Sequence, residues 1–253
     1  INHRLTRLYQ IMRVNRHKVE EERQELQELV SNISHQVKTP VSNLKMVTDT
    51  LLARSVSETE RTEFLRGILN QTDKLDFLFQ ALVKTSRLET GVIRLEKKDG
   101  RLFDTIAQAM SGIVYTAEKK QIRVSVDCPE NLTVAHDSKW TTEAIFNLLD
   151  NAVKYTQAGS KIRITAGKEE KNVWIAVEDN GPGIPAECRE HVFEMFYSGK
   201  NKVSDSRRSL GLGLALCRSI VNAHGGELVL RDCAPHGCHF RFTLPLSEVN
   251  LNE

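Results

Sequence analysis

Hydrophobic positions in the first forty residues follow a heptad repeat. One seam consists of Leu5, Met12, Val19, Leu26 and Ile33, and the other of Leu8, Asn15, Glu22 and Leu29. The two polar residues weaken the second seam, as is typical of a dimeric coiled coil that must stay adjustable. An isolated surface helix can show the same spacing. We favour the first interpretation and predict a coiled-coil helix over residues 1–30.

The next sixty residues predict two amphipathic helices joined by a short turn. The first helix continues through Leu44 and Leu51 and breaks near residues 54–57, where Ser57 and Glu60 have the spacing of a capping box. The second helix has an inner side formed by Phe64, Leu65, Ile68, Leu75, Leu78, Leu82 and Ser86. One hairpin cannot bury such a stripe alone, so residues 31–91 predict half of a dimeric four-helix bundle.

A histidine lies on the outer side of the first of these helices, in the stretch SNISHQVKTP. His35 falls two positions after the seam residue Ile33 and therefore points outward in this register. One turn later, Pro40 removes a helix hydrogen bond and should bend the helix. Most histidines on charged helices are solvated or capping groups, so periodicity alone gives no reason to regard this one as reactive.

The hydrophobic pattern changes after Gly91. Short strand-like stretches alternate with helical ones; the clearest strands are IRVSV, KIRITA and VWIAVED. This alternation predicts a separate α/β domain over residues 95–247, and the polar residues 248–253 form a tail.

Composition narrows the classes of partner. The formal net charge of +2 gives no general case for nucleic acid, and no apolar run is long enough to cross a bilayer. The cysteines lack a C-x-x-C pair, so we expect reduced thiols; they are Cys128, Cys188, Cys217, Cys233 and Cys238. The chain begins without a methionine, and its basic first residues fit either the flank of a lost membrane span or an exposed helix face.

The helix TTEAIFNLLDNAVKYT carries polar side chains along one side. Glu143, Asn147 and Asn151 are spaced four residues apart, and Lys154 and Tyr155 extend the same side. The apolar residues Ile145, Leu148, Leu149 and Ala152 occupy the opposite side. Asparagine carbonyls suit Mg²⁺ and lysine suits phosphate. A solvated helix face is the alternative for this segment taken alone.

Two glycine-containing turns complete the pattern. In VWIAVEDNGPGIP, Asp179 begins a turn that Gly181 and Gly183 keep open, and its carboxylate can accept a hydrogen bond from the amine of adenine, which favours ATP over GTP. Further on, Gly211 and Gly213 precede a helix whose backbone N–H groups suit a triphosphate. Either turn alone is a weak signal, and neither is a Walker loop. The polar segment YSGKNKVSDSRRS between them predicts a mobile lid.

The order of six motifs is more informative than any one of them. The Asn helix, DNGPGI, FEMFY, the polar segment, GLGL and HGCHFRFTLP follow the phosphoacceptor stretch. In this order the chain resembles the cytoplasmic kinase core of a bacterial two-component sensor histidine kinase, and the resemblance covers nearly the whole chain. It implies a signalling helix, a dimeric four-helix bundle and then an α/β sandwich of the GHKL or Bergerat type, as the cytoplasmic part of a membrane protein.

The resemblance also implies roles. His35 would take the γ-phosphoryl group of ATP and pass it to an aspartate in the receiver domain of a response regulator. Asn147 would bind Mg²⁺, and Glu143 matches the acidic residue that activates water in related ATPases. Thr39 would help position water for dephosphorylating the regulator, although a local cap before Pro40 explains it equally well. The remaining nucleotide contacts would be Asn151, Lys154, Tyr155, Asp179, Gly181, Gly183, Gly211, Leu212, Gly213 and Leu214.

The chain departs from the family pattern in three places. Gln36 stands where an acid usually follows the histidine, and since an amide cannot balance an imidazolium charge we expect slower autophosphorylation. Ser198 replaces an arginine, for which Lys200 or Lys202 can substitute. Ser209 and Leu210 alter the start of the glycine box. Two alternatives therefore stay open: a nucleotide-binding scaffold that has lost transfer, and a GHKL-type ATPase.

Overall fold

A computed structural model of the protein describes residues 2–197, 210–232 and 236–246. The chain divides into two compact units, Ile1–Phe77 and Leu78–Glu253. Within the described residues, no helix combines the length and the hydrophobicity needed to span a membrane.

The first unit is built from one long helix and most of a second. Helix α1 spans Asn2–Ala53 and helix α2 spans Glu58–Glu89, so the predicted break at 54–57 is confirmed. The backbone N–H of Ser57 donates to the Glu60 carboxylate at 2.9 Å, and the N–H of Glu60 donates to Ser57 Oγ at 3.3 Å. This is the predicted capping box. Helix α1 continues through Pro40, which is buried.

The predicted inner side of α2 is fully buried only in its last three turns and is partly covered before them. The buried residues there are Leu78, Ala81, Thr85 and Leu88, and they belong to the second unit. Leu65 and Ser86, which were expected to face inward, are exposed in the single chain. Large exposed hydrophobic side chains along the hairpin include Met46, Leu52, Leu65 and Leu69. Of these four residues only Leu65 belongs to the predicted stripe, whose members Phe64, Ile68 and Leu75 are half-buried in the single chain.

The second unit is an α/β sandwich, as predicted. Its strands are β1 (Lys98–Arg101), β2 (Arg123–Asp127), β3 (Thr133–His136), β4 (Lys161–Lys168), β5 (Asn172–Asp179), β6 (Leu228–Asp232) and β7 (Cys238–Pro245). Its helices are α3 (Leu102–Ser111), α4 (Val114–Lys119), α5 (Ser138–Tyr155) and α6 (Gly213–Ala223), with a 3-10 turn at Ala186–Cys188. The main sheet has the order β2-β4-β5-β7-β6, in which only the β2–β4 pair is parallel, and β1 pairs with β3.

The core lies between this sheet and the helices. The apolar side of α5 is buried as its periodicity predicts, because Ile145, Leu148, Leu149 and Ala152 are all nearly inaccessible to solvent. Alternate residues of the strands, such as Ile175 and Phe242, are buried against them. Helix α5 therefore has one side fixed in the core and its other side available for chemistry. Cys128, Cys188 and Cys217 carry thiols, as expected, and Cys233 lies outside the described residues.

Candidate functional site

His35 lies on an exposed part of α1, as the heptad register predicts. Gln36 is half-buried, and Thr39 is exposed and donates its hydroxyl hydrogen to the His35 carbonyl at 3.3 Å. Such i to i−4 bonds are local helix contacts, which fits the capping interpretation of Thr39. The imidazole is accessible, as a phosphoryl acceptor must be.

The asparagine helix and the glycine box meet in the second unit. Asn147 is buried on α5, and its Nδ2 donates to the carbonyl of Glu143 at 2.8 Å. The other atom of the Asn147 amide, Oδ1, is not used in that bond. It lies 2.9 Å from the position that a β-carbon on Gly213 would occupy. A larger residue at 213 would collide with this oxygen. The first residue of α6 and the amide oxygen of Asn147 therefore form one polar site.

Asp179 is held by backbone donors at the end of β5. Its Oδ1 accepts hydrogen bonds from the N–H of Gly181 at 2.8 Å and from the N–H of Cys238 at 3.4 Å. Burial raises the pKa of this carboxyl, and the two backbone bonds oppose that rise without cancelling it. A buried carboxylate in this setting is stabilised by a further N–H donor, such as the exocyclic amine of adenine.

The glycines of the two turns allow close backbone approaches. Gly183 has a positive φ of 74° and lies against Gly237, and Gly211 has a φ of 68° and lies against the backbone of Phe196 and Tyr197. The N–H of Phe196 donates to the Gly211 carbonyl at 3.0 Å. This contact ties the FEMFY box to the glycine box. Gly181 is buried beside Asp179.

The two leucines of the glycine box have side chains that pack. Leu212 is buried, and Leu214 is partly buried against the core. A nucleotide at the start of α6 would consequently meet backbone groups rather than these side chains. Lys200 and the rest of the predicted lid, residues 198–209, lie outside the described residues.

The polar end of α5 is arranged by charged neighbours. Lys154 pairs with Asp150 at 2.5 Å, Asn151 is half-buried, and Tyr155 is exposed. Lys120 Nζ donates to the carbonyls of Val153 at 2.8 Å and Lys154 at 3.0 Å. A lysine at a helix C-terminus interacts favourably with the helix dipole. The spacing of residues along α5 gives no sign of Lys120, which lies more than thirty residues upstream.

Glu143 is engaged by a partner that the sequence pattern gives no reason to expect. Lys84 Nζ, near the end of α2, lies 2.8 Å from Glu143 Oε1. Five residues later in α2, Glu89 accepts a hydrogen bond from Ser219 Oγ at 3.1 Å. The last turns of α2 thus have one polar contact with α5 and one with α6, the two helices that form the candidate nucleotide site.

These residues fit an adenine nucleotide better than a preformed metal centre. Within the described ranges, no group of three or more His, Cys, Asp or Glu side chains can hold a metal ion. Asn147 Oδ1 is a hard oxygen of the kind that Mg²⁺ accepts, but a single ligand suits an ion brought in on phosphates. Burial raises the pKa of the Asp179 carboxyl, so a donor such as the adenine amine would stabilise its ionised form. The N–H groups at the start of α6, which begins at Gly213, suit the phosphates of ATP.

Two family models match the chain. The His Kinase A (phospho-acceptor) domain matches residues 25–91, and the histidine kinase-, DNA gyrase B- and HSP90-like ATPase domain matches residues 136–248. The first match includes His35, and the second includes Glu143, Asn147, Asp179 and both glycines of the glycine box.

Curated and solved relatives agree with these matches. The sensor protein KdpD of Clostridium acetobutylicum is 33% identical over 90% of this chain and 26% of its own length. The sensor-like histidine kinase SenX3 of Mycobacterium bovis is 32% identical over 86% of this chain and 53% of its own length. The crystal structure of histidine kinase ThkA in complex with response regulator protein TrrA matches with a TM-score of 0.69 at 25% identity, over 90% of this chain and 66% of that one.

The chain therefore spans about a quarter to a half of the length of these two curated relatives. The two domain matches together include most of the residues of this chain, with the phospho-acceptor domain first. The chain belongs to the two-component sensor histidine kinases and carries their phosphoacceptor and ATP-binding domains.

Proposed function

We propose that this chain autophosphorylates His35 from Mg-ATP and transfers the phosphoryl group to an aspartate of a response regulator. The observation that carries the proposal is that one unit holds Asn147 against Gly213 and the buried Asp179 beside Gly181, while the other unit presents an exposed histidine. The response regulator in the ThkA complex supports a regulator of the same class as the partner.

The residues divide the chemistry between them. Asp179 binds and orients the adenine, while the backbone at Gly211 and Gly213 binds the phosphates together with Asn151 and Lys154. When bound, Mg²⁺ offsets the phosphate charge, with Asn147 as its protein ligand. A neutral imidazole nitrogen of His35 attacks the γ-phosphorus, and the bond to the β,γ-bridging oxygen breaks to release ADP. In the second step the regulator's aspartate attacks the same phosphorus, and the P–N bond breaks.

Exposed apolar side chains of the hairpin support a homodimer. Met46, Leu52, Leu65 and Leu69 are all more than half exposed in the single chain. A second copy of the hairpin would cover such residues and complete four helices. We assign residues 31–91 to dimerisation and phosphotransfer, residues 95–247 to nucleotide binding, and residues 1–30 to a coiled coil that transmits the signal.

Two finer assignments follow from the family. The exposed position of Thr39, one turn after His35, supports a phosphatase role in which its side chain positions water. The basic residues near the start support an association with a membrane surface, for which an exposed helix face is the alternative.

The decisive experiment uses ATP labelled at the γ-phosphate, with Mg²⁺, and tests the label on the protein for acid lability. Phosphohistidine is acid-labile, so the expected result is acid-labile label that disappears in His35→Gln. His17→Gln is the matched control, because His17 lies on the same helix and is also exposed. Label that survives in His35→Gln, or that is acid-stable, would overturn the assignment of His35.

The same experiment separates the two alternatives. A scaffold would bind nucleotide without label, and an ATPase would release phosphate at an undiminished rate in His35→Gln. Addition of purified receiver domains then tests the second step, since label should leave His35 and become attached to the receiver that matches this chain.

A further inference from the structure

Thr156 occupies the position immediately after α5. Its backbone N–H donates to the Ala152 carbonyl at 3.0 Å, and its own carbonyl accepts from Lys120 Nζ at 3.4 Å. The residue is only 2% exposed. Its backbone is therefore fixed from both sides, which holds the side chain in place.

The hydroxyl of this residue is buried without a partner. Among the residues that the structure describes, none forms a hydrogen bond with Thr156 Oγ1. Buried hydroxyls are normally paired, since each has a donor hydrogen and acceptor lone pairs. The buried Thr105 hydroxyl, for example, is paired with His136 Nε2 at 2.9 Å, and exposed helical threonines donate to the carbonyl four residues earlier: Thr39, Thr48, Thr50, Thr62, Thr72 and Thr90. Thr156 lacks that local bond.

The unpaired hydroxyl borders the adenine side of the candidate site. Thr156 Oγ1 lies 3.5 Å from the position that a β-carbon on Gly181 would occupy, and Asp179 Oδ1 lies 2.9 Å from the same position. The hydroxyl and the carboxylate thus both border the space that the missing side chain of Gly181 leaves. The N–H of Gly181 does not serve the hydroxyl, because it already donates to Asp179.

We propose that the Thr156 hydroxyl is a second adenine-recognition group, which donates to ring nitrogen N1 of the purine, directly or through one water molecule. The proposal rests on the ATP binding proposed above. Adenine presents a donor, the N6 amine, beside an acceptor, N1. Asp179 is an acceptor and Thr156 Oγ1 can be a donor, so the two side chains match the two atoms in order. The pair fixes the orientation of the ring, which Asp179 alone would leave free to tilt.

The test compares two variants and two nucleotides. Thr156→Val removes the hydroxyl at nearly constant shape, and Thr156→Ser keeps it. Dissociation constants are measured by calorimetry for Mg-ATP and for Mg-1-deaza-ATP, in which N1 is replaced by carbon. We expect Thr156→Val to weaken ATP binding about 5- to 10-fold and Thr156→Ser to stay within about 2-fold, as one hydrogen bond predicts. The valine variant and the wild type should bind 1-deaza-ATP equally.

Several outcomes would overturn the inference. One is an ATP dissociation constant for Thr156→Val within about 2-fold of wild type. Another is an equal loss for both nucleotides, since that would indicate a packing role. A lowered melting temperature of nucleotide-free Thr156→Val, not restored in Thr156→Ser, would indicate the same. If the wild-type protein binds no ATP, the proposed function is overturned as well. If Asp179→Asn loses ATP binding but Thr156→Val keeps it, only this inference is overturned.

Discussion

Leucines are placed in opposite environments in the two units. Leu148 of α5 is 1% exposed in the α/β unit, whereas Leu69 of α2 is 61% exposed in the helical unit. The polar residues follow the same division. Asp179 is buried and held by two backbone N–H groups, while His35 is exposed on a helix whose contacts there are local.

This contrast follows from the different functions of the two units, which are nucleotide recognition and phosphoryl transfer. Recognition of a nucleotide needs donors and acceptors that are already in position, so the α/β unit builds its site on a core that is complete within one chain. A group that receives phosphoryl from one molecule and passes it to another must be reachable by both. The helical unit accordingly presents His35 to solvent, and its exposed apolar side chains are available for the second copy proposed above.

The largest expected effect comes from truncating one leucine in each unit. Leu148→Ala should lower the free energy of unfolding of the α/β unit by about 2–5 kcal/mol, because it removes buried methyl groups and leaves a cavity. Leu69→Ala should leave that value unchanged and should instead weaken dimerisation. Both tryptophans, Trp140 and Trp174, lie in the α/β unit, so tryptophan fluorescence during urea denaturation reports on that unit alone.

Sedimentation velocity of the same two variants measures the dimer. The comparison fails if Leu69→Ala lowers the fluorescence midpoint as much as Leu148→Ala does. It fails equally if Leu148→Ala shifts the monomer–dimer equilibrium at a urea concentration where the α/β unit is folded.

The next effect concerns the buried carboxylate. Asp179→Asn keeps an oxygen for the backbone donors but presents an amide to adenine, so ATP affinity should fall about 10- to 100-fold, the range for a hydrogen bond to a charged group. Stability without nucleotide should move the other way. Because the folded-state pKa of Asp179 is raised, its stabilising contribution is complete below the ordinary pKa of about 4 and is lost as pH rises through the folded pKa.

The asparagine variant should therefore be the more stable protein at pH 7 when nucleotide is absent. Its advantage should disappear at about pH 3, below the ordinary pKa of about 4, where the wild-type carboxyl is largely protonated in both states. Melting curves of the two proteins at these two pH values provide the measurement. An Asp179→Asn protein that melts below the wild type at pH 7 would contradict the burial argument.

Local pattern predicted most of the secondary structure of both units. The alternation in KIRITA and VWIAVED predicted β4 and β5, the apolar side of TTEAIFNLLDNAVKYT predicted the buried side of α5, and Ser57 with Glu60 predicted the start of α2. In each case the signal lies within one element, since side-chain spacing along a helix or strand decides which side is buried. The short strands β1 and β3 lacked such a signal, as four residues are too few to show a period.

The contacts that shape the site could not be predicted in this way. Lys84 meets Glu143 and Cys238 meets Asp179, each across 59 residues of sequence, and Lys120 reaches the end of α5 from 33 residues upstream. No local spacing records such pairs. For Leu65 and Ser86 the local pattern itself was misleading. Helical periodicity predicted that they face inward, but both are exposed in the single chain.

A smaller effect is expected beside His35. Gln36→Glu should raise the rate of autophosphorylation about 3- to 10-fold, because a carboxylate can support the developing charge on the imidazole and an amide cannot. ATP affinity should not change, since the substitution lies outside the α/β unit. Initial rates of label incorporation at saturating ATP measure the effect, with Gln36→Asn as the control that keeps the amide. A rate at or below that of wild type would show that the neighbour of His35 does not limit transfer.

The smallest expected effect tests whether Lys84 holds Glu143 away from water. In the background of His35→Gln, where transfer is removed, Lys84→Met should raise phosphate release about 2- to 3-fold, because the released carboxylate can act as a base for an attacking water. Lys84→Arg keeps a cation and should resemble the parent. Adding Glu143→Gln to Lys84→Met should abolish the increase.

Both side chains of the Lys84–Glu143 pair are about a third exposed, with values of 35% and 33%, so salt should weaken their attraction. Raising the ionic strength should therefore bring the parent closer to the methionine variant. Equal rates of phosphate release in the methionine and arginine variants would assign to Lys84 a role in packing the end of α2. The activity of Glu143 would then not depend on a neighbouring cation.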